Sequence, residues 1–351
     1  MESHTFQEIM SQSEAWNATL ESVKTQFSQI ADFAERTRPV SRSGPLALFT
    51  GCGSTYYLSL SAAYLWSRLV GMPSRALPAS EIWLFPEYTL PSQPTLLVAV
   101  SRSGETSETV KAVEVYHQHG GKDCLAVTCY PESSLARQAT RLLVTQRAQE
   151  QSIAQTRSFT SMFLLIQAVA SRAGGRIDLL NQMSSLPQAF DRLVTAYLPL
   201  AKGLAENPKV ERIIYLGSGA SYGLACEAML KMKEMSLTPA EAFHFLEFRH
   251  GPKSVVAPGT LIVGLVSEAA REQEALVLAE MRSLGATVLV VAESGVGMPA
   301  DYLVEMHSGL DDLTNRILAL PVLQLLAYYR ALARGLDPDR PTNLDAVVKL
   351  A

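Results

Sequence analysis

The chain has 351 residues, of which 48% are apolar and 18% charged, and carries a net charge of −4. That is enough chain for two ordinary domains, and the composition is globular rather than disordered. With no basic excess, neither nucleic acid nor an anionic membrane is an expected partner.

The N-terminal stretch MESHTFQEIMSQSEAW lacks the basic-then-apolar pattern of a signal peptide, and no apolar run reaches the roughly 20 residues that a bilayer span needs. Cys52, Cys124, Cys129 and Cys226 form no C-x-x-C pair, so reduced thiols in a cytoplasmic protein are expected. In chain order, the pattern predicts a helix over Phe6–Arg36 and then strands at Leu46–Thr50, Thr95–Val100, Cys124–Thr128 and Leu142–Thr145. Further strands are expected at Ile213–Leu216, Leu261–Val266 and Thr287–Val291. Helical patterns separate them, including Tyr56–Leu69, Glu105–Gln118, Ser158–Ala170 and Ser221–Met235. Strands alternating with helices argue for an α/β fold, with parallel sheets covered by helices on both faces.

The chain also repeats itself. ALFTGCGSTYYLSLSAAYL resembles IIYLGSGASYGLACEAML, and TLLVAVSRSGETSE resembles TLIVGLVSEAAREQ, at nearly one offset. Two copies of one α/β domain are therefore expected. The expected division is an N-terminal helical segment at 1–43, a first domain at 44–175, a second at 190–335 and a tail at 336–351. The joint falls near 171–190, where glycines interrupt the helical pattern.

Three motifs carry chemistry. GCGSTYY follows a strand and opens a helix; Cys52, Gly53, Ser54 and Thr55 form a turn that holds an anion or is simply tight. SRSGET has the same layout, with Ser101, Ser103 and Thr106 around Gly104 and Arg102 beside them. A helix cap needs one hydroxyl, not three and an arginine, so this loop reads as an anion site. Neither loop matches a nucleotide fingerprint. The second copy has VSEAAR in place of SRSGET, and Glu268 adds negative charge, so one anion site per chain is expected, in the first half. In KMKEMSLTPAEAFHFLEFRHGP, Lys231 and Glu234 share a helix face and His250 sits in a turn. These read either as a surface ion pair and a structural histidine, or as groups for proton transfer. No histidine spacing resembles a metal site, so neither metal nor other cofactor is expected.

The motifs GCGSTYY, SRSGET, EQSIAQTRSFTSM, KMKEMS and EFRHGP stand in the order found in double sugar-isomerase (SIS) domain proteins. The chain most resembles the isomerase half of the glutamine–fructose-6-phosphate amidotransferase, without its glutaminase domain, and related amino-sugar-phosphate deaminases. The resemblance implies two tandem flavodoxin-like domains. It implies a sugar phosphate held by Cys52–Thr55 and by Ser101, Ser103 and Thr106. It places the proton-transferring glutamate at Glu234, its lysine at Lys231, and the ring-opening histidine at His250. That histidine is supplied across a homodimer in the family. Three departures stand out. Arg102 replaces a glutamine and would strengthen binding of a dianion or suit a sulfonate. Gln155 replaces a serine that contacts the sugar. Ala346 replaces a tail lysine, the nearest being Lys349. The implied activity is a cytoplasmic isomerase or deaminase acting on a hexosamine 6-phosphate. A ketose–aldose isomerase, a fructosamine-6-phosphate deglycase and a non-catalytic sugar-phosphate sensor are the alternatives.

Overall fold

A computed structural model describes residues 3–28 and 45–348. Lys349 and the stretch 29–44 lie outside the described residues, and so does the second part of the expected N-terminal helix. The chain forms two compact units. One comprises 14–150, 157–184 and 345–351; the other comprises 1–13, 151–156 and 185–344.

The 14–150 unit holds five strands: β1 (Leu46–Gly51), β2 (Ser74–Pro78), β3 (Thr95–Val100), β4 (Asp123–Thr128) and β5 (Arg141–Val144). All pair in parallel in the order β2-β1-β3-β4-β5. Helix α1 (His4–Met10) belongs to the other unit; the principal helices of this one are α2 (Gln12–Ser28), α3 (Ser54–Val70), α4 (Ser107–Gln118) and α5 (Arg157–Ala173). α3 packs on α5, and the Trp16 indole of α2 donates to Thr160 Oγ1 of α5 at 3.0 Å. The central strands are mostly apolar and buried but for the first residues of β3 and β4, as expected of strands covered on both faces.

The 185–344 unit repeats the plan with β6 (Arg212–Gly217), β7 (Ala240–His244), β8 (Thr260–Leu265), β9 (Thr287–Ala292) and β10 (Tyr302–Glu305). Their order, β10-β9-β8-β6-β7, is the first sheet's order shifted by five strands. Its helices are α6 (Leu186–Glu206), α7 (Ala220–Ser236), α8 (Arg271–Ser283) and α9 (Ala319–Ala333). The duplication reaches the backbone. Gly53 has φ 54° and ψ −124°, and Gly219 has φ 56° and ψ −128°. Each opens the helix that follows the first strand of its sheet. A Cβ at Gly51 would lie 2.6 Å from Thr55 Oγ1, and one at Gly217 would lie 2.4 Å from the Ser221 carbonyl oxygen. Only glycine admits so close a strand-to-helix turn.

Three strands escape the sequence reading: β2, β7 and β10. All lie at sheet edges, where half-exposed residues such as SRALP carry no apolar run. The continuous helix Asp312–Ala333 is long and apolar enough, by length and composition, to cross a membrane. It is largely buried and packs on α6 and α7, as a core helix does.

Candidate functional site

In the 14–150 unit, the chain leaves β1 toward β2 on one side and returns to add β3 on the other. Strand order therefore reverses between β1 and β3, and ligands of such sheets sit outside the strand ends at that point. GCGSTYY and SRSGET are the two loops that flank it.

The first loop closes on itself. Thr55 Oγ1 accepts from the Cys52 N–H at 2.9 Å and donates to the Cys52 carbonyl at 2.9 Å. Its hydroxyl proton is thus committed to the turn. The Cys52 thiol lies 3.5 Å from Thr109 Oγ1 of α4, which joins the two loops. Burial pushes that thiol above its ordinary pKa, so it stays neutral.

The second loop keeps its hydroxyls together. Ser101 Oγ accepts from the Gly104 N–H at 3.0 Å and lies 3.4 Å from Thr106 Oγ1. Ser103 Oγ accepts from the Glu105 N–H at 3.1 Å. Thr106 is the N-cap of α4 but makes no side-chain cap hydrogen bond, and α3 has none from Gly53. Two helix N-termini without side-chain caps therefore face one end of the sheet. Gly104 is required here: its φ is +66°, and a Cβ would lie 2.0 Å from Ser133 Oγ.

Arg102 does not stand in the loop as an uncommitted cation. Its Nη1 pairs with the buried Glu150 carboxylate at 3.2 Å, and its Nη2 donates to the Ala346 carbonyl at 3.1 Å. The expectation that it strengthens anion binding meets a guanidinium already neutralised.

The 185–344 unit holds the other expected residues. Glu227, Lys231 and Glu234 are spaced four and three apart and share one face of α7. Lys231 Nζ is 2.5 Å from Glu234 and 3.3 Å from Glu227. Lys231 and Glu227 are fully buried, whereas the Glu234 side chain is 19% exposed. Burial opposes the lysine's charge, but the Glu227 and Glu234 carboxylates outweigh it and hold the ammonium above the usual lysine range. The surface ion pair of the bland reading is therefore a buried triad. Glu227 was missed by the sequence reading; its signal was a carboxylate one turn before Lys231.

His250 lies in an exposed turn whose Gly251 has φ 117°. Among the described residues its imidazole has no hydrogen-bond partner. The turn itself is pinned: Glu280 of α8 binds Arg249 Nε at 2.7 Å and Lys253 Nζ at 2.5 Å. Glu280 was also missed, because nothing local connects it to the turn. Gln155 belongs to this unit, on a loop held by Glu8 of α1, which accepts from the Gln151 N–H at 2.5 Å and from Ser152. The Gln155 Oε1 is buried and has no hydrogen-bond partner among the described residues.

The equivalent reversal point in this second sheet lies between β6 and β8, and a side chain fills it. Glu274 accepts from the Ser267 N–H at 2.7 Å and the Ser267 hydroxyl at 3.1 Å. An internal carboxylate therefore stands in the second unit where the first carries the Ser101, Ser103 and Thr106 hydroxyls.

The SIS domain profile matches residues 45–172 and 208–330, and the chain belongs to the SIS domain family. It is 33% identical over 84% of its length to the isomerizing glutamine–fructose-6-phosphate aminotransferase of Symbiobacterium thermophilum, covering 50% of that protein. The chain spans about half the length of the curated relatives it matches. Among solved structures it resembles glucosamine-6-phosphate deaminase from Thermotoga maritima (29% identity, TM-score 0.73, 99% of this chain and 100% of that one). It also resembles tagatose-6-phosphate ketose/aldose isomerase from Escherichia coli (25% identity, TM-score 0.83, 96% and 94%).

Proposed function

We propose that the chain is a sugar-phosphate isomerase that acts as a deaminase on a hexosamine 6-phosphate, in the cytoplasm and as a homodimer. The observation that carries this reading is the α7 triad: a partly exposed carboxylate paired at 2.5 Å with a fully buried lysine ammonium. A carboxylate so placed can serve as the base for a C–H proton next to a carbonyl.

The sugar phosphate would dock against Ser101, Ser103 and Thr106, with Ser54 and the N-termini of α3 and α4. His250 would assist ring opening by moving the proton between the ring oxygen and the C1 hydroxyl. Glu234 would then take the C2 proton; the C2–H electron pair would form the C1–C2 double bond as the carbonyl π pair moves to O1, which takes a proton from solvent to give the enolamine. Returned to C1, the same proton yields a C2 imine. Water adds there and ammonia leaves. Lys231 would orient Glu234, and Glu227 balances Lys231. Similarity to a glucosamine-6-phosphate deaminase supports the amino-sugar substrate.

A second reading is ketose–aldose isomerisation without nitrogen, favoured by the higher TM-score to the tagatose-6-phosphate isomerase. The two share every step up to the proton return. Incubation with the 6-phosphates of glucosamine, galactosamine, fructose and tagatose, following ammonia and ketose together, separates them. Ammonia lost in Glu234→Gln is the expected result. Interconversion of ketose and aldose without ammonia supports the second reading, and silence across the panel rejects both.

A further inference from the structure

Arg102 stands in the loop that Proposed function assigns to the anion, yet every contact of its guanidinium described above leads elsewhere. Nη1 goes to Glu150, whose carboxylate is wholly buried and also accepts from Ser158 N at 3.1 Å and from the Ser158 hydroxyl. Nη2 goes to the Ala346 carbonyl. The Arg102 backbone is fixed as well: its carbonyl accepts from Thr128 Oγ1 and Cys129 N, both at 3.1 Å. A second tail contact lies at the far end of the same loop, where the first N–H of α4, on Ser107, donates to the Val348 carbonyl at 3.3 Å. The tail thus spans the loop from residue 102 to residue 107. It takes up one of the N–H groups that a helix N-terminus would otherwise present.

We propose that Arg102 is a positioning residue, a latch that ties the C-terminal strap Ala346–Val348 across the hydroxyl loop, and not a ligand of the anion. The proposal rests on the reading of that loop as the anion site. Glu150 gives the guanidinium its charge partner, so the second arm of the fork is left to grip a neutral carbonyl. Arginine does this because its planar fork serves two acceptors at once. A lysine would keep the pair with Glu150 and lose the strap.

The test measures hydrogen exchange of the Ser107 amide together with calorimetric binding of inorganic phosphate. It compares the full chain with Arg102→Lys and Arg102→Gln, and a chain ending at Leu344 provides the strap-free exchange rate. In both Arg102 variants the Ser107 amide is expected to exchange about tenfold faster, approaching the strap-free rate. Phosphate affinity is expected to stay within about threefold of the parent. An unchanged Ser107 rate in Arg102→Lys overturns the latch, whatever phosphate does. Phosphate binding weakened about tenfold in Arg102→Lys also overturns it, by returning the arginine to the anion. If the parent chain binds no phosphate, the anion reading of the loop fails, and the Ser107 rates alone then decide the latch.

Discussion

Lys231 and Glu234 are neighbours on one helix, yet their removal should fail in different ways. Lys231→Met strands Glu227, a fully buried carboxylate, without its cation, and should cost about 3–5 kcal/mol of stability. Glu234→Gln leaves the Lys231–Glu227 pair intact, so its melting temperature should stay close to the parent's. Its turnover should fall about 10²–10⁴-fold, the share a positioned base contributes. Pairing Lys231→Met with Glu227→Gln should restore much of the lost stability but not the activity. Thermal melts and rates measured on the same four proteins check this. Equal destabilisation by Lys231→Met and Glu234→Gln would mean that the buried pair does not carry the cost.

At the scale of the element, the legible parts were those whose physics is local. The central strands β1, β3, β4, β6, β8 and β9 are continuous apolar runs, and the Ser101–Thr106 loop shows its hydroxyls in six letters. What was illegible depends on partners distant in sequence. β2, β7 and β10 are strands because a sheet edge receives them. Glu280 matters only because α8 brings it beneath Arg249 and Lys253. The commitment of Arg102 to Glu150 could not be read from SRSGET alone. α1 is another such case, since its anchor is the side chain of Asp339, which accepts from the His4 and Thr5 N–H groups at 2.9 and 2.7 Å and from the Thr5 hydroxyl at 2.6 Å. Burial works against that carboxylate's charge, but these three donors prevail and hold its pKa below the ordinary aspartate value. A folded pKa below the unfolded one gives stability that is full above the unfolded value, about 3.9, and lost as pH falls through the folded value. Asp339→Asn should therefore cost about 1 kcal/mol near neutrality, a modest figure because the group is half-exposed. The difference from the parent should vanish in acid. Melting curves of both proteins across that range decide it.

At the scale of the whole chain, one fold is used twice and only one copy keeps an open end. Sequence comparison of SRSGET with VSEAAR anticipates the loss of hydroxyls, but assigns the negative charge to Glu268. The structure gives the central place to Glu274, which accepts from the backbone and hydroxyl of Ser267 in the loop after β8. Glu274→Ala should leave the buried Ser267 N–H without its acceptor and cost about 1–3 kcal/mol. Glu274→Gln keeps an acceptor there and should cost less. Burial raises the Glu274 pKa despite its donors, so the folded state binds its proton more readily than the unfolded one does. The ionised group's penalty should appear as pH rises above the ordinary glutamate value, and should be absent from Glu274→Gln. Chemical denaturation of the three proteins in mild acid and at neutral pH measures both effects.

The exposed His250 imidazole is where the proposed homodimer can be tested. Its turn is held rigidly by Glu280, yet the ring meets no partner among the described residues. That is how a group offered to a second copy would look, and it fits the proposed homodimer. Glu234→Gln and His250→Ala should each be inactive alone. If each site draws its glutamate from one subunit and its histidine from the other, a mixed dimer regains one intact pair and also contains one doubly damaged pair. Random exchange of subunits in equal amounts makes half the dimers mixed, so about a quarter of the parent's activity should return. If both residues of a site come from the same subunit, no mixed dimer contains an intact site and nothing returns. Unfolding and refolding the two variants together, then assaying ammonia release from the active hexosamine 6-phosphate, distinguishes the two assemblies in one experiment.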